Sequence, residues 1–162
     1  MKIDFKQHFL PHIIAIAIFF TVVSIYGSYE WQGKSLQSHD GVSYQGAAQE
    51  AKEYREEKGE QVLWNSRVFS GMPLFQMSYK VNQNIIKTIS YYRSFMPATV
   101  GVMFALMIGF YIALMFFEVD WKLATFVSIG FGLSTWLLLS IEASHNTKIL
   151  ALSYVAPMLG AL

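Results

Sequence analysis

The sequence predicts an all-α polytopic membrane protein, and three observations lead to this fold class. The composition is 54% hydrophobic and 16% aromatic, with a mean hydropathy of +0.35, which is more apolar than an ordinary soluble domain. Three apolar runs reach the length of about 20 residues that an α-helix needs to cross a bilayer. A polar stretch, residues 27–97, separates the first two runs. We therefore expect three full spans, a truncated fourth span and a helical extracytoplasmic loop between spans 1 and 2.

Charge and cysteine content exclude several classes of protein. The net charge is +1, so bulk electrostatics indicates no nucleic acid partner. The chain has no cysteine, which excludes disulfides and thiolate metal sites. It also has no phosphate-binding glycine loop and no serine nucleophile elbow. No cofactor is indicated; a divalent metal is compatible with the sequence, but no ligand spacing points to one.

The first predicted span is Phe9–Tyr26, after a short cytoplasmic N-terminus of residues 1–8. Lys2 and Lys6 precede the span, and positive charge stays on the cytoplasmic side, so residues 27–97 should be extracytoplasmic. A signal peptide is the alternative. The apolar core is long for one, and Ser24-Ile25-Tyr26 matches its small-residue cleavage pattern poorly, so we expect an uncleaved span.

Within the loop, His39 and Asp40 precede a predicted helix over residues 43–58. Alanine and tyrosine recur there at helical spacing, and Gly59 is a typical stop signal. Asp40 has two compatible interpretations, an N-terminal cap of this helix or a catalytic acid. His39 is a candidate substrate donor.

A turn rich in aromatic residues follows at residues 62–73, with Gly71 and Pro73 as turn formers. It would either lie over the membrane face and present Asn65 and Arg67 to a substrate, or form a packed cap over the loop's own small core. Residues 84–96 are amphipathic and predict an interfacial helix on the bilayer just before the second span.

The remaining chain is predicted as span 2 at 98–117, a cytoplasmic turn at 118–122, span 3 at 123–141, an extracytoplasmic turn at 142–148 and the start of span 4 at 149–162. The fourth run is still apolar where the sequence stops, which predicts a larger protein cut inside this helix; a re-entrant segment is the alternative. Small residues recur every four positions in span 2 and predict close helix packing: Gly101, Ala105, Gly109 and Ala113.

The turn at 142–148 concentrates hydrogen-bonding side chains between two apolar helices. His145, Asn146 and Lys148 are suited to a phosphate-bearing ligand, although a merely hydrophilic turn is the simpler interpretation. The predicted topology places this turn on the same side of the membrane as Asp40.

Several strings in order along the chain resemble the YfhO-like family of bacterial membrane proteins, in its Bacteroidetes form. They are His39-Asp40, Tyr54-Arg55-Glu56-Glu57-Lys58-Gly59-Glu60, Leu63-Trp64-Asn65-Ser66, Phe69-Ser70-Gly71-Met72-Pro73 and His145-Asn146-Thr147-Lys148. That family is similar to GT-C glycosyltransferases, which take a sugar from a polyprenyl-phosphate carrier on the outer membrane face. The resemblance implies the carboxylate of Asp40 as the catalytic base, and His145, Asn146 and Lys148 near the carrier phosphate or the sugar.

Two functional hypotheses follow. The first is a GT-C-type transferase of the bacterial inner membrane, multi-pass with a cytoplasmic N-terminus, which uses a polyprenyl-phosphate-linked sugar and a cell-envelope acceptor; this fragment alone is expected to be inactive. The second is a non-enzymatic transporter, flippase or assembly subunit that binds a lipid-linked substrate. The predicted spans carry almost no charge, which disfavours an ion-coupled path.

Overall fold

The computed structural model describes residues 9–74, 91 and 95–162, and these are mostly helical. Two compact units are present: the first comprises Met1–Leu36 and Tyr91–Leu162, and the second Gln37–Ser90. The described elements, in chain order, are α1 (Leu10–Tyr26), α2 (Ser28–Trp31), α3 (His39–Lys58), β1 (Trp64–Asn65), β2 (Met72–Pro73), α4 (Ala98–Phe116), α5 (Trp121–Gly132), α6 (Thr135–Glu142) and α7 (Asn146–Gly160).

Helix α4 in the first unit is long and apolar enough to cross a membrane, with a mean hydropathy of 2.2 over its best window. Helices α5 and α6 meet the same criterion only as a pair and are bent by 46° at their junction. Helix α1 is apolar but has 17 residues. Among the described residues, length and composition therefore give one continuous span candidate and one broken candidate.

The predicted third span, 123–141, is not one continuous helix. Helix α5 ends at Gly132, and α6 begins after Ser134, whose backbone is extended at φ −64° and ψ 141°. Hydropathy cannot show this break because the residues on both sides of Ser134 are equally apolar.

The close packing predicted for the small-residue stripe of α4 is confirmed against α7. A Cβ added to Gly109 would overlap the carbonyl oxygen of Ser153, and one added to Gly160 would lie 3.0 Å from the Cα of Ala113. Both contacts advance in the same direction along the two helices, so α4 and α7 pack parallel. Close approach of backbones is what small residues allow between helices.

Helix α1 packs on α4 through aromatic side chains and one polar contact. Phe19 and Tyr111 meet edge to face with ring centroids 5.6 Å apart, and the Tyr111 hydroxyl is 2.7 Å from Nδ1 of His12. Phe19 is fully buried. The polar ring of His12 therefore has a hydrogen-bond partner within the helix bundle.

The second unit begins with α3. This helix starts at His39, four residues before the predicted start at Ser43. Ser38 is its N-cap residue, and the Ser38 hydroxyl accepts a 3.0 Å hydrogen bond from the N–H of Gly41. The predicted end at Lys58 is confirmed. Gly59 adopts φ +70°, and its N–H donates to the carbonyl of Arg55 at 3.0 Å, which is a glycine stop.

A two-stranded antiparallel hairpin completes the described part of the second unit. Trp64 pairs with Pro73, and Asn65 pairs with Met72. The predicted interfacial helix at 84–96 lies largely outside the described residues, of which only 91, 95 and 96 belong to that range.

Candidate functional site

Asp40 lies inside the first turn of α3 and is not its cap, so the capping interpretation of this residue is wrong. Ser38 is the cap instead, because its hydroxyl accepts a hydrogen bond from the N–H of Gly41, which has no partner within the helix. The Asp40 side chain is 65% exposed within the described structure, and its Oδ1 lies 4.0 Å from Nδ1 of His39. An acid in the first turn interacts favourably with the helix dipole.

His39 and Asp40 therefore form an exposed pair at the start of α3. The His39 side chain is 95% exposed. Both groups are accessible from solvent within their own unit, as a substrate contact requires, and their roles in chemistry stay predictions.

Asn65 is not presented to a substrate, contrary to the sequence interpretation. It is fully buried, and its Nδ2 donates a 2.6 Å hydrogen bond to the backbone carbonyl of Ala47 in α3. Its Oδ1 accepts from the N–H of Arg67 at 2.8 Å. Asn65 therefore ties the hairpin to α3 and shapes the chain that follows β1. Of the two alternatives predicted for residues 62–73, the burial of Asn65 therefore fits the packed cap.

The next residue, Ser66, makes a second connection to α3. Its hydroxyl and N–H donate to the two carboxylate oxygens of Glu50, at 2.6 Å and 3.2 Å. The hydrogen bond from the Ser66 hydroxyl is the largest cause that lowers the pKa of Glu50 below its usual value. The bond from the Ser66 N–H and the charge of Arg67 lower it further. The Arg67 side chain remains exposed, as its candidate role requires.

The strings Trp-Asn-Ser and Gly-Met-Pro thus have a structural explanation in this chain. Gly71 has φ +118°, and a Cβ added there would lie 2.8 Å from Cζ2 of Trp64. Only glycine fits both the backbone angle and the space beside the indole. These residues build the hairpin of this chain.

In the first unit, the turn between α6 and α7 carries the other predicted ligands. His145 is the N-cap residue of α7, but its side chain makes no capping hydrogen bond, and the first turn contains no acid. Lys148 lies in that first turn, and both His145 and Lys148 are exposed. Ser144, at φ +66°, and the bond from the His145 N–H to the carbonyl of Ser140 at 2.9 Å set the direction in which α7 starts.

Asn146 is the first residue of α7 and contributes an acceptor. Its Oδ1 is buried and has no hydrogen-bond partner among the described residues. A buried carbonyl oxygen of this kind is a costly group to leave without a donor. The three candidate residues of this turn therefore lie together at the N-terminus of α7. The side chains of His145 and Lys148 are exposed, and the Oδ1 acceptor of Asn146 is buried.

Glu30 in α2 is a residue that the sequence analysis missed. Its carboxylate accepts hydrogen bonds from the hydroxyl of Thr99 at 2.6 Å, the N–H of Thr99 at 3.0 Å and the N–H of Val100 at 3.3 Å. Pro97, the N-cap residue of α4, offers no side-chain acceptor. The sequence feature that could have indicated Glu30 is the start of α4. An apolar helix that begins without a capping side chain needs a hydrogen-bond acceptor from another part of the chain.

Tyr29 shows that these polar groups share one end of the first unit. Burial raises the pKa of Tyr29 above its usual value, and the negative charges of Glu30 and Glu142 add to the effect. Glu142 ends α6, so the starts of α4 and α7 lie at the same end, in agreement with their parallel packing.

No family model, no curated protein and no solved structure matches this chain. The family resemblance therefore rests on the quoted residues.

Asp40 and the turn at 142–148 belong to different units, so their juxtaposition stays a prediction. Within residues 9–74, 91 and 95–162, no group of three or more histidine, aspartate or glutamate side chains is arranged to hold a metal ion. Of the predicted site residues, His39, Asp40 and Arg67 are exposed in the second unit, and His145 and Lys148 are exposed in the first.

Proposed function

We propose that this chain is the N-terminal membrane part of a GT-C-type glycosyltransferase related to the YfhO-like family. It would transfer a sugar from a polyprenyl-phosphate donor to a cell-envelope acceptor on the extracytoplasmic face of the bacterial inner membrane. Helices α1 and α4 and the α5–α6 pair would span the bilayer, α7 would start the fourth span, and the N-terminus would be cytoplasmic.

The start of α7 is the observation that carries this proposal. A helix N-terminus directs unpaired N–H groups and a partial positive charge outwards, which suits a phosphate. Here the N-cap side chain makes no hydrogen bond to these groups, no acid lies in the first turn, and Lys148 adds a full positive charge. His145 supplies a further exposed donor.

The acceptor on Asn146 fits the other half of such a ligand. A sugar hydroxyl donates hydrogen bonds, and the buried Oδ1 of Asn146 has no donor among the described residues. The contact of Gly109 with the Ser153 carbonyl fixes α7 against α4, and Glu30 fixes the start of α4. The phosphate site would therefore stand on two closely packed helices, which limits its movement during binding.

The reaction needs a base and a leaving group. A carboxylate base would take the proton of the acceptor hydroxyl while that oxygen forms a bond to the anomeric carbon, and Asp40 is the base that the family resemblance implies. The bond between this carbon and the phosphate oxygen breaks, and the lipid phosphate leaves with the electron pair. Lys148 and the N–H groups of α7 would stabilise the charge on the departing phosphate.

A binding subunit without enzymatic activity is the second candidate, and the exposure of Asp40 favours it. Catalytic acids and bases are usually set in clefts that shift their proton affinity, whereas Asp40 is 65% exposed within its unit. In this alternative, the start of α7 still holds the lipid-linked substrate, and another protein carries out the transfer.

Binding is tested with this chain in lipid nanodiscs and a polyprenyl phosphate as the probe. We expect Lys148→Gln to weaken binding by about tenfold, the effect of losing one charge-assisted hydrogen bond. Lys122→Gln is the matched control. Lys122 also lies in the first turn of a helix, α5, but there the Asp120 carboxylate accepts from the Lys122 N–H at 2.9 Å and occupies the N-terminus. Equal affinities for both variants would refute the phosphate site.

Transfer is tested in the complete protein with Asp40→Asn, and Glu57→Gln on the same helix is the control. Loss of transfer by about a hundredfold or more, with unchanged donor binding, is expected for a general base. Full activity of Asp40→Asn would remove Asp40 from the mechanism. Binding of the donor without any transfer by the unsubstituted protein would favour the binding subunit.

A further inference from the structure

The tip of the β1–β2 hairpin exposes apolar side chains that the proposed transferase does not use. Phe69, in the loop between the strands, is 88% exposed, and Trp64, whose indole lies beside Gly71 of the same loop, is 57% exposed. These two residues are called the hairpin tip below. An exposed aromatic pair of this kind indicates a contact surface, and α3 of the same unit exposes Val42, Tyr44 and Tyr54 as well.

The backbone at the tip is held in an uncommon conformation. Phe69 and Ser70 have φ +50° and φ +61°, so two successive residues other than glycine occupy the left-handed region before Gly71 at φ +118°. Each such residue is disfavoured relative to ordinary backbone. The Gly71 N–H donates to the carbonyl of Val68 at 2.8 Å and closes this turn, which holds the Phe69 ring away from the protein.

Arg67 and the chain connections indicate what covers the tip. Arg67 is exposed and lies two residues before Phe69 in the chain, so the hairpin carries a cation as well as aromatic side chains. Aromatic and aliphatic side chains with a basic neighbour are the composition of segments that insert into the headgroup region of a bilayer. On both sides of the second unit, the chain continues into apolar helices, α1 and α4, and α4 meets the span criterion.

We propose that the hairpin tip inserts into the interface of the membrane that α4 crosses, with Phe69 and Trp64 among the lipid headgroups and Arg67 at a lipid phosphate. Asn65 and Ser66, which tie the hairpin to α3, transmit this attachment to the helix that starts with His39 and Asp40.

The chain has no cysteine, so a single introduced cysteine can carry a fluorescent label. The test uses Phe69→Cys with an environment-sensitive nitrobenzoxadiazole label, in the full chain reconstituted into vesicles of phosphatidylethanolamine and phosphatidylglycerol. The matched control is Glu57→Cys, an exposed position on α3 of the same unit. Phe69 makes few contacts, so the substitution should leave the helical circular dichroism unchanged.

The proposal expects blue-shifted emission at position 69, together with quenching by lipids that carry a spin label near the headgroup, and neither effect at position 57. Accessibility to aqueous iodide at position 69 equal to that at 57 would overturn it. Blue-shifted emission without quenching by the labelled lipids would also overturn it, because the tip would then be covered by protein.

Discussion

The side-chain amide of Asn65 donates a 2.6 Å hydrogen bond to the backbone carbonyl of Ala47, eighteen residues earlier in the chain. The bond joins a two-residue strand to the middle of α3, and Asn65 is fully buried around it. A hairpin of this size is not stable alone in water. Its position therefore depends on this contact and on the neighbouring pair of Ser66 and Glu50.

Replacing Asn65 by leucine should destabilise the second unit by about 1–3 kcal/mol, because the Arg67 N–H loses its acceptor and the Ala47 carbonyl loses its side-chain donor. The measurement is amide hydrogen exchange along α3 and the hairpin in the full chain. Gln45→Leu removes an exposed amide from α3 and should change exchange little. Equal effects of the two variants would contradict the role of Asn65.

The Glu50 carboxylate should make the hairpin contact sensitive to acid. Its pKa is lowered from 4.5 in the folded unit, chiefly by the Ser66 hydroxyl. A lowered folded-state pKa means that the stabilisation is present above about pH 4.5 and is lost as the pH falls through the folded-state value. The side chain is on the surface, so the effect is small and reduced by salt.

A carboxyl-carbon NMR titration measures this effect directly. Ser66→Ala should move the Glu50 titration upwards towards 4.5. No movement of Glu50 in that variant would show that the Ser66 hydroxyl does not cause the shift.

Removing the carboxylate of Glu30 should loosen the start of α4. Glu30→Ala leaves the N–H groups of Thr99 and Val100 without their acceptor, at a cost of about 1–2 kcal/mol, as for the loss of a helix cap. Hydrogen exchange of these two amides should accelerate. Glu118→Ala, in the exposed turn after α4, is the control and should leave them protected. Unchanged protection in Glu30→Ala would exclude the cap.

Two glycines give a matched test of the α4–α7 contact. Gly109→Ala should destabilise the first unit, because the added Cβ overlaps the Ser153 carbonyl oxygen and two backbones must separate. Gly130→Ala adds the same atom in α5 with nothing within 4 Å, and it should be neutral or stabilising by up to about 1 kcal/mol. Thermal unfolding in detergent would reveal the difference, and equal melting temperatures would rule out the tight contact.

Local sequence patterns predicted the helices well. The apolar runs from Phe9 and Ala98 gave α1 and α4 to within a residue or two, and Gly59 gave the end of α3. Spacing of small residues also gave the contact surface of α4. These features are set by hydropathy, glycine geometry and side-chain size, all of which act over a few neighbouring residues.

Contacts between distant residues account for what the sequence did not predict. Asn65 and Arg67 looked alike as polar residues in a turn, and only the fold shows that Asn65 is buried against Ala47. Glu30 meets Thr99 across 69 positions, and no local pattern links them. The break at Ser134 was not predicted for another reason. A single serine lowers the mean hydropathy of the run only slightly, so residues 123–141 still resembled one continuous span.

The parallel contact of α4 with α7 has a consequence for synthesis on the ribosome. Helix α4 is complete at Phe116, but the helix that covers Gly109 and Ala113 begins only at Asn146, after α5 and α6 have been made. During that interval, the surface around Gly109 and Ala113 lacks the helix that covers it in the folded unit. This helix pair can therefore form only after α5 and α6 have been made, and a chain that stalls before Asn146 would leave the surface uncovered.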